Sequence, residues 1–293
     1  MATETIECPS GLIITIRNMK AKEMALLADD GSDEDEGREH VYSRKKNKKA
    51  QRRNPITSIL QGCVLEVNNV GSYPPDWATA GVIATKDATG AGRLSFPELL
   101  LADRFYALTR VRAATWGDGY EYRVRCKDKR CERYAKPFLW EIPLSDLETK
   151  ALPEASRKRL TEKNLTFEMT LGGKKAKFKI QQGLDEMSAP DLTDIPRSQI
   201  FLSQCASRLI YVEGVDVTNF EDVMAFVGDL DMLEVRSATN LYDEVDGGIE
   251  TNTMAQCPKC GMEFDVAVPF DGPSFLLPDR KTRGGKPMAE PIT

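Results

Sequence analysis

The sequence predicts an α+β fold: small antiparallel β-modules with several helices, held by a four-cysteine, zinc-knuckle or ribbon-like site. Three observations predict it. Two cysteine pairs, Cys126 with Cys131 and Cys257 with Cys260, each stand between alternating segments that read as strands. A third alternating pair, 166–171 and 175–180, is joined by Gly172-Gly173, a composition suited to a two-residue hairpin turn. Between these modules apolar residues recur at helical spacing, most clearly over 97–116 and from 198 onward.

Composition bounds the class. The chain has 293 residues, 41% apolar and 29% charged, enough for one large domain or two modest ones. A formal net charge of −5 argues against a generally basic nucleic-acid binder. No stretch approaches the roughly 18 uninterrupted apolar residues of a membrane span. The opening Met-Ala-Thr-Glu-Thr-Ile-Glu lacks the layout of a signal peptide, so a reducing cytosolic setting is expected. In that setting cysteine pairs hold metal more often than they form disulfides.

Taken in order, residues 1–28 read as an N-terminal strand (11–19) and helix (20–27). Residues 29–54 form a charged segment, an acid run at 29–36 followed by a base-rich stretch at 38–53. Such a segment is expected to be mobile or ordered by a partner, because it buries little apolar area against its ordering entropy.

Residues 55–152 carry a short helix at 55–65, a Pro- and Gly-rich loop at 71–92, the strongest helix, and the first cysteine hairpin. In that strongest helix Pro97 suits the first turn. Leu100, Ala107, Leu108, Val111 and Ala114 share a side, while Asp103, Arg110 and Arg112 are expected to stay wet or to pair. Gly117-Asp118-Gly119 stops it. Strands at 120–125 and 134–142 then flank the first cysteines.

Residues 153–250 read as a helix (153–163), the Gly172-Gly173 hairpin, a helix at 198–212, and one long helix from Asn219 to Tyr242 capped by Thr218. The second knuckle and a last strand (262–269) occupy 251–278. A flexible tail at 279–293 follows.

Cys126, Cys131, Cys257 and Cys260 are the candidate metal ligands. Two close thiolate pairs in tight turns are the two halves of a tetrahedral zinc site. Pro258 and Gly261 help the second turn, and spacings of two and four residues fall within the accepted range. Lys127, Lys129 and Arg130 would offset the negative charge of four sulfurs around a divalent ion. Free or oxidised thiols, or a redox couple, are the alternatives; redox motifs open a helix after a strand, whereas both pairs here lie between strands. Four sulfurs leave no open position for catalysis.

Cys8, Cys63 and Cys205 have no close partner in sequence and read as buried thiols. The single histidine, His40, gives little scope for His-dependent catalysis. No catalytic or cofactor-binding constellation and no small-molecule site stand out, so a non-enzymatic role is expected.

Several runs resemble a known family. Pro9-Ser10-Gly11-Leu12 through Arg17-Asn18-Met19-Lys20 resembles the opening of the T4-type baseplate hub proteins of contractile-tailed phages, also described as hub assembly chaperones. The run Leu101-Ala102-Asp103-Arg104-Phe105-Tyr106-Ala107-Leu108, continued by Ala114-Thr115, Gly117, Tyr120 and Tyr122 to Cys126, is similar to the family's helix signature. Cys257-Pro258-Lys259-Cys260-Gly261, Phe264-Asp265-Val266, and Pro269-Phe270-Asp271 through Phe275 resemble its late element. In two places the chain departs from that pattern: Cys126 to Cys131 is longer than the family's usual first pair, and 29–53 looks like an insertion or a divergent stretch.

The resemblance implies a structural or assembly role at the tail hub. Its partners would be other phage hub, wedge or tail proteins, and its place the virion baseplate or the host cytoplasm during assembly. Phe270 and Phe275 are candidate contacts, or else they cap their own core. From another class, a zinc-ribbon adaptor binding nucleic acid through Lys45, Lys46, Lys48 and Lys49 is the alternative.

Overall fold

A computed structural model describes residues 3–28, 55–74, 95–188, 199–270 and 275–276. Strands β1 (Thr3–Glu7) and β2 (Ile13–Arg17) form a hairpin, followed by helix α1 (Ala21–Ala28). Helix α2 (Pro55–Cys63) runs directly into β3 (Val64–Asn69), which pairs with the other side of β2. A 3-10 turn at Phe96–Glu98, with Pro97 in it, leads into α3 (Leu101–Trp116). Gly117 ends α3 at φ 95°, a left-handed conformation that favours glycine.

Strand β4 (Gly119–Val124), the single turn α4 (Glu132–Ala135) and β5 (Phe138–Pro143) make the first cysteine hairpin. A short β6 (Thr149–Lys150) and α5 (Glu154–Thr161) lead to β7 (Thr166–Leu171) and β8 (Lys174–Lys179). Gly172 and Gly173 join these last two at φ 58° and 70°, the primed turn that matches strand twist. Next come α6 (Gly183–Ser188), α7 (Ile200–Ala206) and β9 (Leu209–Val212), which completes a β7–β8–β9 sheet. Helices α8 (Phe220–Gly228) and α9 (Met232–Val245) precede β10 (Gly248–Ile249), which pairs with β6. Strands β11 (Asn252–Gln256) and β12 (Glu263–Ala267) form the second cysteine hairpin. All recorded strand pairs are antiparallel.

Two predicted helices are corrected. Residues 198–212 do not form one helix: α7 ends at Ala206 and Leu209-Ile210-Tyr211-Val212 pairs with β8. β-branched and aromatic side chains suit that pleated edge, and the open side of β8 supplies the partner. The long helix over 219–242 is two helices. Gly228 closes α8, and the Asp231 carboxylate accepts from the Leu233 amide at 2.9 Å to start α9. The cap of α8 is Asn219, which accepts from Glu221 N, rather than Thr218. The charged segment 29–54, with His40 and its lysines, and the tail 279–293 lie outside the described residues.

Among the described residues the apolar interior has two parts. One joins β1–β3, α2, α3 and both cysteine hairpins. The other packs α7, α8 and α9 on the β7–β8–β9 sheet, around Phe178, Cys205 and Tyr242.

Of the α3 charges expected to stay wet or to pair, Arg110 pairs with Glu4, while Asp103 and Arg112 are buried at 0% and 3% exposed with hydrogen-bond partners, as is their neighbour Arg104 at 2%. Asp103 accepts from Ser10 N at 3.0 Å and from the Tyr73 hydroxyl at 2.5 Å, and Tyr73 in turn accepts from Leu100 N. Burial pushes the Asp103 carboxyl up while those hydrogen bonds pull it down; burial prevails. The Arg104 guanidinium donates to Phe96 O, Thr57 Oγ1 and Glu186 Oε2. Arg112 donates to the carbonyls of Gly117, Gly119 and Phe275. These runs carry the family resemblance, and their work is to fix backbone turns against α3.

Asp103→Ala is expected to lower the unfolding free energy by about 3 kcal/mol or more, because it strands a buried amide and a buried hydroxyl. Asp103→Asn, which keeps an acceptor oxygen, should cost less than half of that. Urea titration of both variants checks the order, and equal losses would contradict it. Gly71→Ala should cost about 2 kcal/mol or more in the same assay. At φ 59° a Cβ there would lie 2.4 Å from the carbonyl carbon of Gly11.

Candidate metal centre

Each pair of cysteines sits where a hairpin turns. Beyond β4 the Cys126 amide donates to Arg133 O at 3.1 Å, so the intervening loop closes on itself. Asp128 tightens that loop: its amide points at Cys126 Sγ (3.4 Å) and its carboxylate accepts from Arg130 N at 2.9 Å. Cys131 then opens α4. In the second hairpin the pairing of Gln256 with Glu263 fixes the register. The Cys257 amide donates to Met262 O and the Gly261 amide to Cys257 O, both at 2.9 Å. Gly261 takes φ 73°, the left-handed conformation this turn requires.

The fold brings the two turns together, although about 130 residues separate them in the chain. Cys126 Sγ lies 3.6 Å from Cys260 Sγ, and Cys131 Sγ lies 3.8 Å from Cys257 Sγ. All four sulfurs fall within 4.8 Å of one another. Those separations far exceed a disulfide bond of about 2.05 Å. They match the edge of a tetrahedron: four sulfurs each about 2.3 Å from one zinc ion sit about 3.8 Å apart. All seven cysteines are free thiols.

The electrostatics are those of crowded sulfurs. Burial and the neighbouring thiols hold Cys126 up to about 12. Burial acts the same way on Cys257, but the amides of Cys260 and Lys259 aimed at its sulfur bring that thiol down to about 7. The Cys257 thiolate therefore forms most readily, whereas Cys126 and Cys131 are held up beside it, a balance that a divalent cation would shift towards thiolate. Around the cluster, Lys136 and Lys259 share Glu132 at 3.3 and 4.0 Å, and Arg130 pairs with Asp128. Packing holds the hairpins side by side as well: Val124, Phe138, Ala255 and Phe264 are buried, and the Tyr122 hydroxyl meets Thr253 Oγ1 at 3.3 Å.

Cys8, Cys63 and Cys205 are each buried away from this cluster, and burial raises all three thiols, which keeps them neutral. Phe275 is 2% exposed and packs edge-on against Tyr120 and Phe270, with Arg112 over its ring. Phe270 meets Phe105 edge-on at 4.7 Å. Both phenylalanines thus serve the chain's own core. Elsewhere the buried Glu23 pairs with Arg17 at 2.8 Å and the half-buried Asp246 with Arg208 at 2.9 Å. Among the described residues no helix is long and apolar enough to cross a membrane.

Together these features define an α+β protein whose two small hairpins meet at a four-sulfur cluster suited to a structural ion. The family model described as T4 bacteriophage base plate protein matches residues 82–277, more than half of the chain, and the protein belongs to that family. A structural role in a phage baseplate follows, with other baseplate proteins as partners and the virion tail baseplate as its place. No curated protein and no solved structure matches the chain.

Proposed function

We propose that the protein is a structural or assembly component of the baseplate hub of a contractile phage tail, acting by protein–protein contacts on a zinc-stapled scaffold. The observation that carries this reading is the tetrahedral spacing of four sulfurs in a chain of the baseplate family. Assignment to the hub rests on the resemblance of the 9–20, 101–126 and 257–275 runs to hub proteins and hub assembly chaperones.

Cys126, Cys131, Cys257 and Cys260 would hold the ion. Bound there, zinc supplies a structural tie and neutralises thiolate charge; four sulfurs leave no position for substrate. The chain's own part is to present the ligands already ordered. The two turns aim amides at Cys126 and Cys257, and the packed hairpins set the distance between pairs. The rest of the fold supports contact rather than chemistry, because its buried ionisable groups serve backbone turns and ion pairs.

Elemental analysis of the purified, reduced protein is expected to give one zinc per chain; none bound would remove the staple. Cys257→Ser should abolish stoichiometric zinc and cost about 3 kcal/mol or more, which lowers the melting temperature by about 10 °C. Under a strong chelator, hydrogen exchange should quicken at the amides of Cys126, Cys131, Cys257 and Gly261. The β8 amides, which belong to the second core, should be unchanged. Quantitative mass spectrometry of purified virions tests the role itself. Stoichiometric presence indicates a built-in hub part, and presence only in assembling baseplates indicates a chaperone. Absence from both overturns the reading.

A further inference from the structure

Strand β7 is an edge of the β7–β8–β9 sheet, and its outer side carries an unusual pattern of satisfied and open backbone groups. The two-residue turn makes Leu171 and Lys174 a hydrogen-bonded pair, and Ile180 N donates to Leu165 O at 3.1 Å. Residues 165, 167, 169 and 171 therefore face β8, and by alternation 166, 168 and 170 face outward.

At the start of this outer row Thr166 is satisfied within the chain: its amide donates to Asn164 Oδ1 and its carbonyl accepts from Arg159 Nη1. Just past its other end the Gly172 amide donates to Glu234 Oε1 at 3.0 Å. Between them, the backbone N–H and C=O of Glu168 and Thr170 have no recorded partner among the described residues. A long open edge invites uncontrolled pairing. Here it is short, closed at both ends, and faced by a helix.

That helix is α9, and a groove of about 720 Å³ separates it from β7. Leu233, Leu241 and Met169 give it apolar surface, and Leu233 is 76% exposed, the most of any large apolar side chain described. Glu168, Glu234 and Glu244 line it, with no lysine or arginine among the lining residues. Glu168 has Lys177 at 2.9 Å and Glu234 holds Gly172, while Glu244 has no partner among the described residues.

We propose that this groove is a docking slot for an extended, lysine- or arginine-bearing segment of a neighbouring baseplate protein, which adds beside β7 as a fourth strand. The partner's identity rests on the baseplate reading above; the slot itself does not depend on it. Open donors and acceptors on a strand edge call for another extended backbone rather than a helix. Glu168 is offset by Lys177, but Glu234 and Glu244 favour positive charge and disfavour a second copy of β7, whose Glu168 would enter the same slot. Apolar side chains on alternate positions of the segment cover Leu233 and Leu241.

The experiment uses the full chain and two synthetic octapeptides, one alternating lysine and valine, the other glutamate and valine. The lysine peptide is expected to bind and to slow exchange of the Glu168 and Thr170 amides about tenfold, with the amides of 175–178 unchanged. The glutamate peptide should do neither. Thr170→Pro removes only an outward N–H, a position where an edge strand tolerates proline, and should abolish binding; Thr170→Val should keep it. Should the proline variant fold poorly, the Glu234→Gln, Glu244→Gln double variant, which keeps an acceptor for Gly172, tests the same slot, with about tenfold weaker affinity expected.

The proposal is overturned if the lysine peptide gives no protection, or if both peptides bind alike. It is also overturned if the two amides are already protected in the free chain and lose that protection on dilution, which means a second copy. The same holds if they lose it when Lys45, Lys46, Lys48 and Lys49 are changed to Gln, which means the chain's own basic segment. Failure of the virion measurement alone would leave the slot standing and change only its occupant.

Discussion

Helix α3 carries three ionisable side chains into the interior, and the surrounding backbone is arranged to receive them. Near its N-terminus, Asp103 takes the amide of Ser10 and the hydroxyl of Tyr73. One residue on, Arg104 reaches Phe96 O and Glu186. Two turns later Arg112 gathers three carbonyls, among them that of Phe275. Each charge would be costly alone in an apolar core, and each is tolerable because backbone groups and polar side chains meet it. The N-terminal turn, the entry to α3 and the stretch after the last strand are thus fixed to one helix by polar contacts that admit little slack.

The sulfur cluster acts on a different scale. It joins two hairpins that are each two-stranded and too small to be stable alone. Their shared apolar face supplies part of the tie, through Val124, Phe138, Ala255 and Phe264. The four thiols crowd at the far end, where apolar packing gives out and charge must be balanced instead. Local folding therefore presents the ligands, and the chain's long-range closure comes from the packing on α3 and from the sulfurs together.

Much of this was legible from residue pattern. The cysteine pairs announced their turns because Cys-Pro-Lys-Cys-Gly combines ligand spacing with turn chemistry. Gly172-Gly173 announced its hairpin because few other residues accept two successive left-handed conformations. What escaped were decisions made by tertiary context. Leu209-Ile210-Tyr211-Val212 continues a helical spacing, yet an open strand edge beside it was the better partner. The break at Asp231 hides inside an apolar stripe, since Leu230 and Leu233 both fit one helix while the aspartate caps a second. Burial of Asp103, Arg104 and Arg112 could not be read from α3 alone, because their partners come from residues before 100 and after 116. β1 (Thr-Glu-Thr-Ile-Glu) is too polar, and β3 (Val-Leu-Glu-Val-Asn-Asn) too irregular, for an alternation to stand out.

The interior is divided, with Phe167 and Val245 among the few apolar side chains that touch both parts. A load applied to one part therefore reaches the other through that small apolar overlap and through polar contacts beside it, such as the Ser156 hydroxyl donating to Val245 O.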